Sequence, residues 1–323
     1  MKSLIQFMLF FIITSIQCFG QTCCSGGVPL SNNLGIPNDG KGAFTISLNY
    51  DYNNLNTLNF KSTKLDNNNR QRITNSVLLN ANYAITDKFA IETLFTWLSQ
   101  GFVSPFGGQD LNRISGVGDA VVLAKYSFPE LIGKNTLLDL GLGVKAPLGR
   151  TDRKSDLGIQ LTADLQPGSG AWDGLAWLTV SKSLNFRPSS NIYGNFTYRE
   201  TGVNSSYLTD DTSYEFGNEL YLNIGYSDQF IIFNTIFNPA LVFKYRQAQF
   251  DKLNNQNLPN TGGEWIFIRP EIMVLLTPNI FFNTRVELPL YSYVQGTQLT
   301  PTIRLTTGIM IKIMKKETLK LNN

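Results

Sequence analysis

From residue 43 onward, apolar and small polar side chains alternate with a period of two, and the pattern keeps returning until the chain is almost finished. Phe44, Ile46, Leu48, Tyr50 and Tyr52 are interleaved with Thr45, Ser47, Asn49 and Asp51. Period two is the signature of a β-strand with one apolar face and one polar face. Val77, Leu79, Ala81, Tyr83 and Ile85 repeat it, as do Phe89, Ile91, Thr93, Phe95 and Trp97. Later runs are centred on Val122–Ala124, Leu140–Leu142, 174–184, Phe196, Leu222–Ile224, 230–246, Ile268, Val286 and Ile309. Parity is ambiguous in 174–184 and in 230–246, where both faces carry apolar residues. Twelve strands result, most near the roughly nine to eleven residues that cross a bilayer as tilted strands.

The connections sort by order. Those after even-numbered strands are short: 86–88, 129–135, 185–189, 227–229 and 277–279. Those after odd-numbered strands are long and rich in Asn, Gly, Ser and Asp: 53–72, 99–116, 147–171, 200–213, 247–263 and 292–300. A soluble sandwich has no reason to sort loops this way. A transmembrane antiparallel β-barrel does, with short periplasmic turns on one side and long external loops on the other. The expected fold is therefore all-β, a barrel of about twelve strands over 42–313. Aromatics fall at both strand ends, Tyr83, Phe89, Tyr126, Phe128 and Tyr226 beside short turns and Tyr52, Trp97, Tyr198 and Tyr291 beside long loops. That is the placement of two interfacial girdles.

The charge content fits. Only 16% of the residues are charged, against roughly a quarter in ordinary globular chains. Half of each strand must stay uncharged toward lipid, where Lys or Arg costs about 2–4 kcal/mol at mid-bilayer. The charges fall on the opposite, lumen face: Glu92, Asp119, Lys125, Asp139, Lys145, Arg199, Glu215, Glu219, Arg269, Glu271, Arg285, Glu287, Arg304 and Lys312. If Leu276 pairs with Ile280 across the 277–279 turn, Arg269 faces Glu287 and Glu271 faces Arg285, with Arg304 on the next strand. Such pairs serve either as a ladder that pins the register or as a charged constriction that selects solutes. Twelve strands lie between a side-chain-filled barrel and an open porin, so a narrow or plugged lumen is expected.

Residues 1–20 read as a secretory signal peptide. Lys2 is followed by an apolar run from Leu4 to Ile16, too short for the roughly twenty residues of a helical span, and then by small residues before Gln21. Residues 21–41, with Pro29, Pro37 and several glycines, form a periplasmic lead or a plug, and 314–323 a basic tail. Cys23 and Cys24 are adjacent and supply no disulfide framework. They are either two reduced thiols or a vicinal disulfide or thiolate pair.

Gly116-Val117-Gly118-Asp119, then Gly141-Leu142-Gly143-Val144-Lys145-Ala146-Pro147-Leu148-Gly149, then Gln166-Pro167-Gly168-Ser169-Gly170-Ala171-Trp172-Asp173 occur in that order. They resemble the outer-membrane barrel family labelled "Putative MetA-pathway of phenol degradation", as does the Cys23 to Pro29 lead. The resemblance implies a transporter-like barrel passing small solutes, aromatic or hydrophobic ones included. By residue chemistry, Gly141 and Gly143 open space on the lumen face, and 166–173 reads as a turn at a loop tip.

The chain contains no histidine, which removes Ser-His-Asp and Cys-His catalysis and His-ligated metal sites. No enzyme activity, cofactor or metal is expected. A net charge of +3 without a basic block gives no nucleic-acid signal. The expected place is the cell outer membrane, and the expected partners are its lipid, a small-molecule solute and the barrel-assembly machinery. The expected role is a channel with a narrow charged lumen. The alternative is a structural or adhesion barrel acting through its external loops.

Overall fold

The computed structural model describes residues 34–103, 112–155, 158, 160–208 and 211–313. The expected signal peptide over 1–20, Cys23, Cys24 and the 314–323 tail lie outside these residues. Twelve strands form the wall: β1 Phe44–Phe60, β2 Gln71–Ala84, β3 Phe89–Val103, β4 Asn112–Val117 continued by Ala120–Pro129, β5 Thr136–Ala146, β6 Asp173–Leu184, β7 Arg187–Glu200, β8 Glu219–Ser227, β9 Thr235–Ala248, β10 Gly263–Thr277, β11 Ile280–Val294 and β12 Thr297–Ile313. Each pairs antiparallel with its chain neighbours, and β1 pairs with β12 from Phe44↔Ile313 to Phe60↔Thr297. The sheet is closed and has no free edge, the condition for β-structure in lipid.

The wall is an inside-out protein. Leu48, Leu79, Phe95, Val122, Leu142, Ile224, Phe243 and Ile309 are exposed on the outer face. The intervening Thr45, Ser47, Asn49, Asp51, Asn80, Asn82 and Thr96 are buried on the inner face. Tyr83, Tyr126 and Tyr226 point outward beside the short turns, and Trp97 and Tyr291 point outward toward the long loops. Parity in the two ambiguous regions resolves with Asp173, Leu175 and Trp177 inward on β6 and with Val242, Lys244 and Arg246 inward on β9.

Three expectations change. The 292–300 loop is a tight turn at Gln295-Gly296, since β11 runs to Val294 and β12 starts at Thr297. Gly296 has φ 82°, left-handed backbone that glycine adopts without strain. The 53–72 loop is largely strand: β1 continues to Phe60 and a short strand, Thr63–Leu65, folds back on it. Glu215 is not in the wall. It belongs to a small outer sheet of Val203–Asn204, Tyr214–Glu215, Lys252–Leu253 and Gln256–Asn257 and pairs there with Lys252 at 3.0 Å.

The β10–β11 turn also differs. Thr277, not Leu276, pairs with Ile280, and a bulge absorbs Leu276. The extra residue restores the register above it, so Glu271 pairs with Arg285 and Ile268 with Leu288. A bulge shifts a register only on one side of itself.

Candidate functional site: the barrel lumen

At the short-turn end, the last stretch of the lead enters the lumen. The Glu92 carboxylate accepts hydrogen bonds from the backbone N–H of Gly35 and Ile36, each at 3.0 Å. Lys125 Nζ binds the same carboxylate at 2.6 Å and also donates to the Ile36 carbonyl. Gly35 lies flat on the Trp177 ring with φ 99°, and a Cβ there would come within 2.6 Å of Cζ2. Asp39 pairs with Lys312 of β12 at 2.8 Å. Beside this stretch is a cavity of about 640 Å³, lined by the lead, by amides such as Asn49, Asn191 and Asn283, and by Tyr193, Glu271 and Arg285.

At the long-loop end the charges form a chain of alternating sign around the wall. Asp119 pairs with Lys145 at 2.6 Å, Lys145 with Asp173 at 3.1 Å, and Asp173 with Arg199 at 2.6 Å. Arg199 pairs with Glu219 at 3.0 Å and Glu219 with Arg246 at 2.5 Å. The chain runs from β4 to β9 with one charge per strand. Lys244–Glu287 at 2.8 Å and Arg304–Asp51 at 2.9 Å carry the pattern on to β11, β12 and β1. Arg269 binds Glu271 most closely and lies 3.9 Å from Glu287. Asp139 sits on β5 opposite Ser127, nearer the short turns and half-buried.

These charges do not face open water. The connection between β5 and β6 folds into the barrel and covers them. Ser169 donates to Asp119 through both its backbone N–H (3.0 Å) and its hydroxyl (2.7 Å), and Lys145 Nζ donates to the Ser169 hydroxyl. Gly149 N–H reaches the other Asp119 oxygen at 3.1 Å. Gly149 and Gly168 touch backbone to backbone: a Cβ on Gly149 would lie 2.5 Å from the Gly168 Cα. Further along, a single 3₁₀ turn, Ala163–Leu165, carries Asp164 across to β2, where Arg72 Nη1 meets it at 2.7 Å. The same guanidinium reaches the Asp164 carbonyl and, through Nε at 3.1 Å, Gln100 Oε1 on β3.

The sequence motifs therefore meet at one place. Asp119, Lys145, Ser169 and Asp173 come from three separated segments and form one buried clasp between loop and wall. The 166–173 segment, expected at a loop tip, is inside, with Gln166, Ser169 and Asp173 buried. Gly141 and Gly143 supply room: a Cβ on Gly141 would press 3.1 Å from both Leu123 Cδ1 and Trp177 Cε3. Those side chains lie across β5 because that strand offers glycine there.

The sequence passed over several residues. Arg72 falls at the end of the expected 53–72 loop, and Asp164 in the expected 147–171 loop with no strand signal. Lys244 and Arg246 lay where the parity was ambiguous, although Leu241, Phe243 and Tyr245 mark the lipid face and leave 244 and 246 for the lumen. Inward apolar residues are the larger omission. Leu78, Leu94, Val121 and Leu175 form a buried cluster on the lumen face, with Leu34 of the lead packed against it.

Above the clasp, the outer loops have a small core of Ala163, Tyr207, Tyr214 and Phe216. Asp251 is buried beside it and accepts hydrogen bonds from Tyr214 Oη at 2.5 Å and Gly217 N–H at 2.8 Å. Burial pushes its carboxyl up to about 7, against the lowering effect of those two donors. No group of three or more metal-ligating side chains is placed together among the described residues.

The family model described as "Putative MetA-pathway of phenol degradation" matches residues 37–299. Among solved structures, the COG4313 outer membrane channel from Pseudomonas putida F1 is 15% identical, with a TM-score of 0.66 over 88% of this chain and 100% of that one. The β domain of the Bordetella autotransporter BrkA is 10% identical, with a TM-score of 0.48 over 85% of this chain and 100% of that one. No curated protein matches in sequence. The first of these structures shares the fold: a closed barrel, apolar outside, whose place is the outer membrane.

Proposed function

Because the chain belongs to the family described as "Putative MetA-pathway of phenol degradation", we propose that it is an outer-membrane channel for small solutes, hydrophobic and aromatic ones among them. The observation that carries this is a closed wall enclosing a lumen with a cavity of about 640 Å³ at one end and an apolar cluster further in. In this reading the lumen residues divide by task. The paired Asp119, Lys145, Arg199, Glu219, Glu287 and Arg304 hold wall and loop in shape. Glu92 and Lys125 hold the lead as a plug. Glu271 and Arg285 line the cavity, with Arg269 buried against Glu271, and Asp139 lies nearer the short turns.

A catalytic reading fits poorly. The Ser169 hydroxyl touches Lys145 Nζ, as in a serine–lysine nucleophile. Yet Ser169 is only 4% exposed, and Lys145 is held by two carboxylates, so the pair lacks both access and a free amine. Lipid and a small solute are the partners this reading requires, together with the barrel-assembly machinery for insertion.

Purified protein in planar bilayers, with liposome swelling in arabinose and sodium benzoate, tests the reading. Discrete conductance steps and solute influx are expected. A correctly folded barrel that passes neither ions nor either solute refutes it and leaves the loop-mediated structural or adhesion role.

A further inference from the structure

A lumen face built for water has no use for bare leucine. On β2, β3, β4 and β6, Leu78, Leu94, Val121 and Leu175 nevertheless point inward, each 4% exposed or less, as one cluster. Many of their neighbours on the same face are polar: Asn80 and Asn82 follow Leu78, Thr96 follows Leu94, and Lys125 and Ser127 lie further along β4. Two more large apolar groups, Leu123 and Trp177, lie over the glycines of β5. An apolar surface this size inside a conduit must be covered by something apolar, or water meets it at about 25 cal/mol per Å².

Leu34 covers it now. Its placement is not casual. Immediately after it, Gly35 lies against the Trp177 ring where no side chain fits. The Glu92 carboxylate gathers two consecutive backbone N–H groups, and Lys125 closes the bracket from the other side. This buried charged bracket fixes the lead backbone so that a single apolar side chain is delivered to the cluster.

We propose that the Leu78–Leu94–Val121–Leu175 cluster, with Trp177, is a binding subsite for a small apolar or aromatic solute, and that Leu34 occupies it in the solute's absence. Lead and cargo are then competitors for one surface. Solute binding displaces Leu34, loosens the Gly35 and Ile36 bonds to Glu92, and opens the short-turn end toward the adjoining cavity. The inference rests on the channel reading above, and its test separates the two.

The probe is 1-aminoanthracene, whose fluorescence rises in apolar surroundings, titrated into detergent-solubilised full-length protein. Three forms are compared: wild type, Leu34→Ser and Leu94→Asn, each verified as folded by heat-modifiable migration. KCl conductance is recorded on the same preparations. Removing the internal competitor is expected to tighten probe binding about tenfold in Leu34→Ser, because the site no longer has to be vacated first. Leu94→Asn is expected to lose saturable binding and keep only the micelle background. Equal binding by all three forms, with conductance present, overturns the subsite and leaves the channel standing. Tightening in Leu34→Ser without loss in Leu94→Asn also overturns it, since the probe then binds elsewhere. Saturable binding without conductance in any form supports the subsite and counts against the channel.

Discussion

Replacing Arg72 with methionine tests whether the β5–β6 connection is held inside the barrel by a side chain 92 residues away in sequence. Arg72 is 1% exposed and Asp164 6%, so the guanidinium is the close cationic partner of a buried carboxylate at 2.7 Å. It also satisfies the Asp164 carbonyl and Gln100 Oε1. Methionine keeps most of the apolar stem and removes all of these bonds. Deleting one partner of such a pair costs about 3–5 kcal/mol when the other stays buried. The loop has a cheaper escape. Its internal bonds move with it: Gln166 Nε2 donates to the Arg153 and Leu161 carbonyls at 2.9 and 3.0 Å, and its Oε1 accepts from Arg153 N–H at 2.9 Å. Swinging outward lets Asp164 rehydrate at the expense of the Ala163 packing and the Gln160 Nε2 bond to the Tyr207 carbonyl. Single-channel conductance in KCl is therefore expected to rise, and the urea unfolding midpoint in detergent to fall. Arg72→Met combined with Asp164→Asn removes both charges and is expected to recover about half of the lost stability, the coupling expected of neighbours in one network. Unchanged conductance, or a double variant no more stable than the single one, refutes the idea that this pair holds the loop in the lumen.

Three further outcomes follow from the same geometry. Gly149→Ala places a Cβ 2.5 Å from the Gly168 Cα, so backbone must move, and the variant is expected to lose stability and conduct more, whereas Gly158→Ala, with nothing within 4 Å, is expected to show only the modest strain of its positive φ. Ser169→Ala removes a hydroxyl bonded to Asp119, Lys145 and the Ala171 carbonyl and is expected to cost about 1–3 kcal/mol, read as a lowered urea midpoint; an unchanged midpoint contradicts the clasp. Asp251 has its carboxyl raised from 3.8 to about 7 by burial, so the folded loops hold a proton that the unfolded chain releases near pH 4. Their stability is then greatest below about pH 4 and falls as the pH rises to 7, so protease nicking of the outer loops should increase across that window, and Asp251→Asn should flatten the dependence.

What could be read from the sequence and what could not divides along the range of the interactions. Period two is a local property, and it marks the lipid face along most of the wall, because a single charge on that face is expensive; it leaves 174–184 and 230–246 open, where both faces carry apolar residues. Loop length is local too, and it sorted the two ends of the barrel. The Glu271–Arg285 pair survived although Thr277, not Leu276, closes the turn, because one bulge restored the count. The 292–300 segment reads as loop because its Ser, Thr and Gln are loop-like, whereas Gln295-Gly296 turns in two residues between the strands. Arg72–Asp164 and the Asp119–Lys145–Ser169–Asp173 clasp join distant segments, and nothing in the neighbourhood of any one residue announces its partner.

The binary pattern carried a second message in its exceptions. A strand whose outer face is obliged to be apolar has freedom only on its inner face, and there polar residues cost least if the lumen is simply wet. Each inward leucine or valine therefore departs from the default at a cost, unless something apolar meets it. Leu55, Leu58 and Leu299 meet one another in one cluster, and Val294 joins Trp265 and Phe267 in a second. Leu78, Leu94, Val121 and Leu175 meet a residue of the lead that folds in from outside the wall. An apolar inner face whose cover is a separate piece of chain is a place where something else can bind once that piece withdraws. The lumen's selectivity is then set less by its many charges, which neutralise each other strand by strand, than by the few positions where the polar rule is broken.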